Sequence, residues 1–219
     1  MTKEQLAKHI EQTLLKPEAT YSDIEKLCDE AMKYNFYGVC VAPKYVEFVK
    51  EKLASTDIKV ISVVGFPLGT SMPEVKSLEA MLLQQAGADE IDMVLNYSAL
   101  IEGDLERTYN EIMQVVHDVK IPVKVILETS KLTNEQIVSA CELCVQAGAK
   151  FVKTSTGFMG GATKEAVEVM SSAVAGRIKI KASGGIRDLN TALMYISAGA
   201  DRIGTSSGAK IIDEFKNEK

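Results

Sequence analysis

The sequence predicts an α/β fold, a (βα)8 TIM barrel forming a single domain over residues 1–219, on three observations. Short β-branched runs recur along the chain, each followed by a turn signal and then by a segment with apolar residues at three-to-four spacing. Their starts lie roughly two to three dozen residues apart, the length of one strand, one helix and two loops. No linker, composition break or low-complexity stretch interrupts the alternation. Helical connections of this kind join parallel strands of one sheet.

Taken in order, the strand candidates are Ile10 to Leu15, Gly38 to Val41, Val60 to Val64, Glu90 to Val94, Val123 to Leu127, Phe151 to Thr154, Ile178 to Lys181 and Arg202 to Thr205. The first, expected to be a short strand, is placed by its interval upstream of the second. Helix starts are marked by capping boxes, in which a Ser or Thr and an acid or amide three residues on satisfy free backbone amides: Ser22 with Glu25, Ser71 with Glu74, Thr133 with Gln136. Helix ends carry Ala86-Gly87, Ala147-Gly148 and Ala198-Gly199, where glycine can take the left-handed conformation that stops a helix. Eight such units can form an open doubly wound sheet or a closed barrel. The count favours closure, and Val41-Ala42-Pro43-Lys44 lacks the glycine-rich fingerprint that a doubly wound nucleotide fold places after its first strand.

Composition narrows the functional classes. With 46% hydrophobic and 25% charged residues the chain can bury a core, which excludes disorder. Twenty-five basic residues against thirty acidic ones leave a net charge of −5, and no Lys/Arg block offers a track for a phosphate backbone, so nucleic acid is not an expected partner. No apolar run approaches the roughly 18 residues of a membrane span, and the polar start Met1 to Gln5 has no apolar signal core. A cytoplasmic location is expected. Cys28, Cys40, Cys141 and Cys144 then read as reduced thiols in the core.

Active sites of such barrels lie at the C-terminal strand ends, so charged residues in or just after strands are the candidates. Five qualify: Asp92, Lys124, Glu128, Lys153 and Lys181, on four consecutive strands. Burying an ionised group without a partner costs several kcal/mol, so these residues either pair with one another or do chemistry. Desolvation and a neighbouring cation both lower a lysine's pKa, and an uncharged amine can attack a carbonyl; the iminium formed then stabilises a carbanion, while a second lysine and an acid move protons. Residue spacing does not say which lysine is the nucleophile. Ser183 to Arg187 and Gly204 to Gly208 follow the last two strands, where this fold usually cradles a phosphate, and Thr156-Gly157 offers a third side. The substrate expected is a phosphorylated carbonyl compound. His9 and His117, the two histidines, lie away from every strand end, so no metal is expected.

Seven stretches carry a resemblance to the deoxyribose-phosphate aldolase family: Thr13 to Pro17, Val64 to Gly69, Gly87 to Val94, Lys124 to Thr129, Phe151 to Phe158, Lys181 to Arg187 and Arg202 to Ser207. Together they span nearly the whole chain. The resemblance implies a Schiff-base lyase that reversibly splits 2-deoxy-D-ribose 5-phosphate into acetaldehyde and D-glyceraldehyde 3-phosphate, without metal or organic cofactor, as a cytoplasmic homo-oligomer, dimer or tetramer, of deoxynucleoside catabolism. It assigns Lys153 as the Schiff-base lysine, Lys181 as the lysine that perturbs it, and Asp92 as their proton-relay partner. Phosphate contacts would come from Gly157, Gly184, Gly185, Gly204, Ser206 and Ser207, and further substrate contacts from Thr13, Thr156 and Arg187.

Several positions depart from the family pattern. Glu11-Gln12 stands where Asp-His is usual, Ala42 where Asn is common, and Ser130-Lys131 where Cys-Leu or similar follows. The segment Phe158 to Thr163 is one residue short, and the tail Phe215 to Lys219 lacks the tyrosine that some members carry. Two other functions remain open on the residues alone: a phosphosugar isomerase or epimerase using Asp92 as base, and a non-catalytic phosphosugar-binding barrel.

Overall fold

The computed structural model describes residues 1–215; the tail beyond, on which the expectation about a C-terminal tyrosine falls, lies outside the described residues. Eight parallel strands close in sequence order: β1 (Ile10–Leu14), β2 (Gly38–Val41), β3 (Lys59–Val64), β4 (Glu90–Val94), β5 (Val123–Ile126), β6 (Phe151–Lys153), β7 (Lys179–Ser183) and β8 (Arg202–Thr205). The closing seam pairs Ile10 with Ile203 and Glu11 with Gly204. Sequence-expected bounds hold to within two residues, the largest shift being β7, which runs on to Ser183.

The strands are buried on both faces, which explains their nearly unbroken apolar runs. Outward residues such as Val39, Ile91, Val125, Val152 and Ile203 join the main core beneath the helices. Inward residues Cys40, Ile61 and Val63 form a separate small cluster with Leu15, Tyr37 and Phe66. Along the other half of the barrel the inward positions are charged, because successive strand residues alternate in direction and the charges occupy alternate places. The register sets Asp92 beside Lys124 and Lys153 beside Lys181.

The helices around the barrel are α1 (Lys3–Ala7), α2 (Tyr21–Tyr34), α3 (Val46–Lys52), α4 (Pro73–Gln85), α5 (Tyr97–Ile101), α6 (Leu105–Asp118), α7 (Asn134–Gln146), α8 (Lys164–Val174), α9 (Leu189–Ser197) and α10 (Gly208–Glu214). None is long and apolar enough to cross a membrane. Of the three expected capping boxes only Thr133 with Gln136 forms. At α2 the box is Thr20 with Asp23, which places Ser22 inside the first turn. At α4 Pro73 takes the first helical position after Met72, and its preset φ and missing N–H replace the expected Ser71–Glu74 cap. Ala86, Ala147 and Ala198 cap their helices, with Gly87, Gly148 and Gly199 following at positive φ. The four cysteines are free and buried, as expected for core thiols.

One buried ion pair outside the barrel fixes the loop after β3. The Lys76 amine donates to Glu111 at 2.7 Å, to the Gly69 carbonyl at 2.7 Å and to the Val94 carbonyl at 2.9 Å. Gly69 thereby sits against β4 with φ +72, and a Cβ there would lie 2.2 Å from the Leu95 carbonyl oxygen. Gly69→Ala is expected to cost about 2 kcal/mol or more of stability through strain and overlap, measured as a lower midpoint in urea unfolding.

Candidate active site

Three lysines converge on one aspartate inside the barrel. Asp92 Oδ2 accepts from Lys153 Nζ at 2.8 Å and from Lys181 Nζ at 2.7 Å, while Oδ1 accepts from Lys124 Nζ at 2.9 Å. Glu90 pairs with Lys124 at 2.5 Å. Glu11 pairs with Lys181 through Oε2 and lies 3.8 Å from Lys124 through Oε1. All of these side chains are buried.

The electrostatics separate the three amines. Burial pushes Lys153 below its ordinary value; Asp92 pulls back, but the Lys181 charge adds to the lowering, and the net shift is down. Burial opposes the charge on Lys181 too, but Asp92 and Glu11 outweigh it and hold that amine well above its usual range. Lys124 is raised for the same reason, by Asp92, Glu11 and Glu90 against burial. Burial disfavours the Asp92 carboxylate, yet the three lysines hold its pKa well below normal. Residue spacing alone left the nucleophile undecided; carboxylate placement distinguishes Lys153, which has one such neighbour where the others have two or three.

Above this network opens a cleft of about 280 Å³. Lys153 lines it, with Thr13, Thr156, Gly157, Gly184, Gly185, Arg187, Gly204 and Ser206. Asp92 and Lys181 do not line it and stand behind Lys153, and Ser207 does not line it either. The Ser207 N–H is turned to the Thr205 hydroxyl at 2.9 Å, just ahead of α10. Gly184 has φ +92, and a Cβ there would press on Gly161 and the Gly160 carbonyl, so the loops after β6 and β7 pack edge to edge. That contact seats the short segment Phe158 to Thr163: the Ala162 N–H donates to the Gly184 carbonyl at 3.1 Å, and the Tyr195 hydroxyl donates to the Ala162 carbonyl at 2.6 Å. Gly204 faces inward, where a Cβ would stand 2.9 Å from Lys181 Cε; its bare backbone makes room for that lysine's stem.

Sequence reasoning missed two contributors. Glu11 entered only as a departure, yet it is the second carboxylate on Lys181, and its partners lie on distant strands. Lys16, exposed just beyond β1, lines the cleft beside the glycine loops and adds a cation; its place in the Thr13 to Pro17 stretch was the available signal. Gln12 points the other way. Its carbonyl accepts the Gly208 N–H at 2.9 Å and its amide donates to Glu30 at 2.8 Å, so it anchors the start of α10.

Known proteins resemble this chain along nearly its whole length. A curated deoxyribose-phosphate aldolase of Caldicellulosiruptor saccharolyticus is 52% identical over 220 residues, covering 98% of this chain and 100% of that one. Another, of Thermococcus kodakarensis, is 52% identical over 224 residues, covering 100% of both. Among solved structures, the tetrameric deoxyribose phosphate aldolase of Aeropyrum pernix superposes with a TM-score of 0.92 at 37% identity, over 99% of this chain and 93% of that one. A sequence model of DeoC/LacD family aldolases matches residues 5–214, and the chain belongs to that aldolase family.

Proposed function

We propose that the chain cleaves 2-deoxy-D-ribose 5-phosphate to acetaldehyde and D-glyceraldehyde 3-phosphate, reversibly, through a Schiff base on Lys153. One observation carries the reading: among three buried lysines around Asp92, the one whose amine is lowered is the one that reaches the cleft. The uncharged Lys153 Nζ attacks the open-chain aldehyde carbon, and loss of water gives an iminium. Water held by Asp92 and Lys181 takes the C3 hydroxyl proton, and the C2–C3 bond pair passes into the iminium to leave an enamine. Protonation at C2 and hydrolysis release acetaldehyde and the free amine. These steps need only water and protons, with no metal or organic cofactor. Gly157, Gly184, Gly185, Gly204 and Ser206, with Lys16 and Arg187 at the rim, would hold the phosphate; Ser207, whose N–H is turned to the Thr205 hydroxyl, falls outside this set.

The chain is further proposed to act as a homo-oligomer, dimer or tetramer, in the cytoplasm. Its relative from Aeropyrum pernix is tetrameric. Val75, Leu78 and Leu82 leave one face of α4 apolar and 46%, 53% and 54% exposed, which suits contact with a second copy.

Borohydride added with the sugar phosphate should reduce the iminium and fix a stable adduct on the peptide containing Lys153, read by mass spectrometry. An adduct confined to Lys181 would overturn the assignment. Full turnover insensitive to borohydride would replace it with an isomerase or epimerase, and tight binding without acetaldehyde release with a non-catalytic barrel.

A further inference from the structure

Glu128 lies just past the end of β5 and belongs to neither the lysine network nor the cleft lining. Its backbone is left-handed, φ 57 and ψ 58, a conformation costly for a residue other than glycine and persistent where surroundings enforce it. Its carboxyl is fully buried, and no lysine, arginine or histidine among the described residues lies within ion-pair distance. Only one of its oxygens is hydrogen-bonded: Oε1 meets no partner among the described residues, and the donors to Oε2 are neutral. Both come from one residue: Glu128 Oε2 accepts the Thr156 N–H at 3.1 Å and the Thr156 hydroxyl at 2.5 Å.

The consequence lies in the polarity of that hydroxyl. A threonine hydroxyl has one proton and two lone pairs. The proton is committed to Glu128, and one lone pair receives the Phe158 N–H at 3.1 Å. A single lone pair is left, on a residue that lines the cleft between Lys153 and Gly157. Thr156 can therefore accept a hydrogen bond from a ligand there and cannot donate one.

We propose that Glu128 is a positioning residue that sets substrate specificity. By holding Thr156 as an acceptor, it selects compounds bearing a hydroxyl on the carbon between the reacting carbonyl and the phosphate-bearing carbon. The inference rests on the aldolase reading above and deepens it. In the condensation direction that carbon is C2 of D-glyceraldehyde 3-phosphate. A ligand lacking the hydroxyl leaves the lone pair facing nothing, and a neutral hydrogen bond of this kind is worth about threefold to tenfold in affinity.

The test compares condensation of acetaldehyde with D-glyceraldehyde 3-phosphate and with 3-phosphooxypropanal, which lacks only that hydroxyl. The wild-type chain is expected to favour the hydroxylated acceptor about tenfold in kcat/KM. Thr156→Val should bring the ratio within about twofold of unity, and Thr156→Ser should keep it. Glu128→Met, which removes the acceptor, should lower the ratio at least threefold, whereas Glu128→Gln, whose amide oxygen can still accept, should retain most of it. A purely structural role for Glu128 would slow both acceptors equally and leave the ratio unchanged, which would overturn the proposal. If Glu128→Met does not fold, the Thr156 pair decides: a ratio unaltered in Thr156→Val sinks the idea. Absence of condensation with either acceptor in the wild-type chain would refute the aldolase reading itself, a separate result.

Discussion

Lys153→Leu is expected to cut acetaldehyde release from 2-deoxy-D-ribose 5-phosphate by about 10⁴-fold or more, with the barrel intact. The route through a covalent iminium disappears with the amine, and no neighbour can replace it. Lys181 and Lys124 are both raised, so their amines stay protonated, and neither lines the cleft. The fold should tolerate the change because Asp92 keeps two cations: Lys181 at 2.7 Å and Lys124 at 2.9 Å. Leucine also removes an amine whose charged form the site disfavours. Turnover assays with circular dichroism and thermal unfolding check both halves. Residual activity within tenfold of wild type would mean that another group is the nucleophile.

Asp92→Asn is expected to damage stability and rate together. Among the described residues, removing the charge leaves Lys153 with no carboxylate within ion-pair range and leaves Lys124 and Lys181 with Glu11 as their one shared partner. Breaking a buried pair on one side costs about 3–5 kcal/mol, which for a chain this size lowers the unfolding midpoint by roughly 10 °C. Turnover should fall about 10²- to 10⁴-fold through lost proton transfer. Borohydride trapping on Lys153 should nevertheless persist, since Asp92 raises that amine and its loss lowers it further. The acid limb of stability should change as well. A carboxyl whose folded pKa is depressed contributes stability that is fully present above its unfolded pKa of about 3.9 and is lost as pH falls toward the folded value. Wild-type stability should therefore drop more steeply below about pH 4 than that of Asp92→Asn, measured by urea midpoints across pH 2 to 6.

The barrel was legible because its signals are local. Each strand is a run of consecutive residues, and Ala-Gly stops three helices within two positions. The errors were also local: Thr20 lies two residues from Ser22, and Pro73 supplied by its ring what Ser71 was expected to supply by its hydroxyl. The site was legible as a set of charges on consecutive strands but not as a division of labour. Lys124, Lys153 and Lys181 all occupy inward positions. What separates them is how many carboxylates each meets, and the Glu11 contact to Lys181 spans 170 positions in sequence. The link from Glu128 to Thr156, 28 residues apart, escaped for the same reason. Hydroxyl polarity is a property of three-dimensional neighbours.

The packing of Glu11, Glu90 and Asp92 against Lys124, Lys153 and Lys181 has a consequence for the resting protein. Three carboxylates meet three amines there, so whenever the nitrogen at position 153 is in its proton-free, reactive form this innermost layer is one positive charge short of neutral. Joining that nitrogen to a carbonyl carbon gives it a permanent positive charge and restores electroneutrality. In the proposed reaction, attachment of the sugar therefore supplies the charge that the free amine lacks, and hydrolysis of the adduct removes it again.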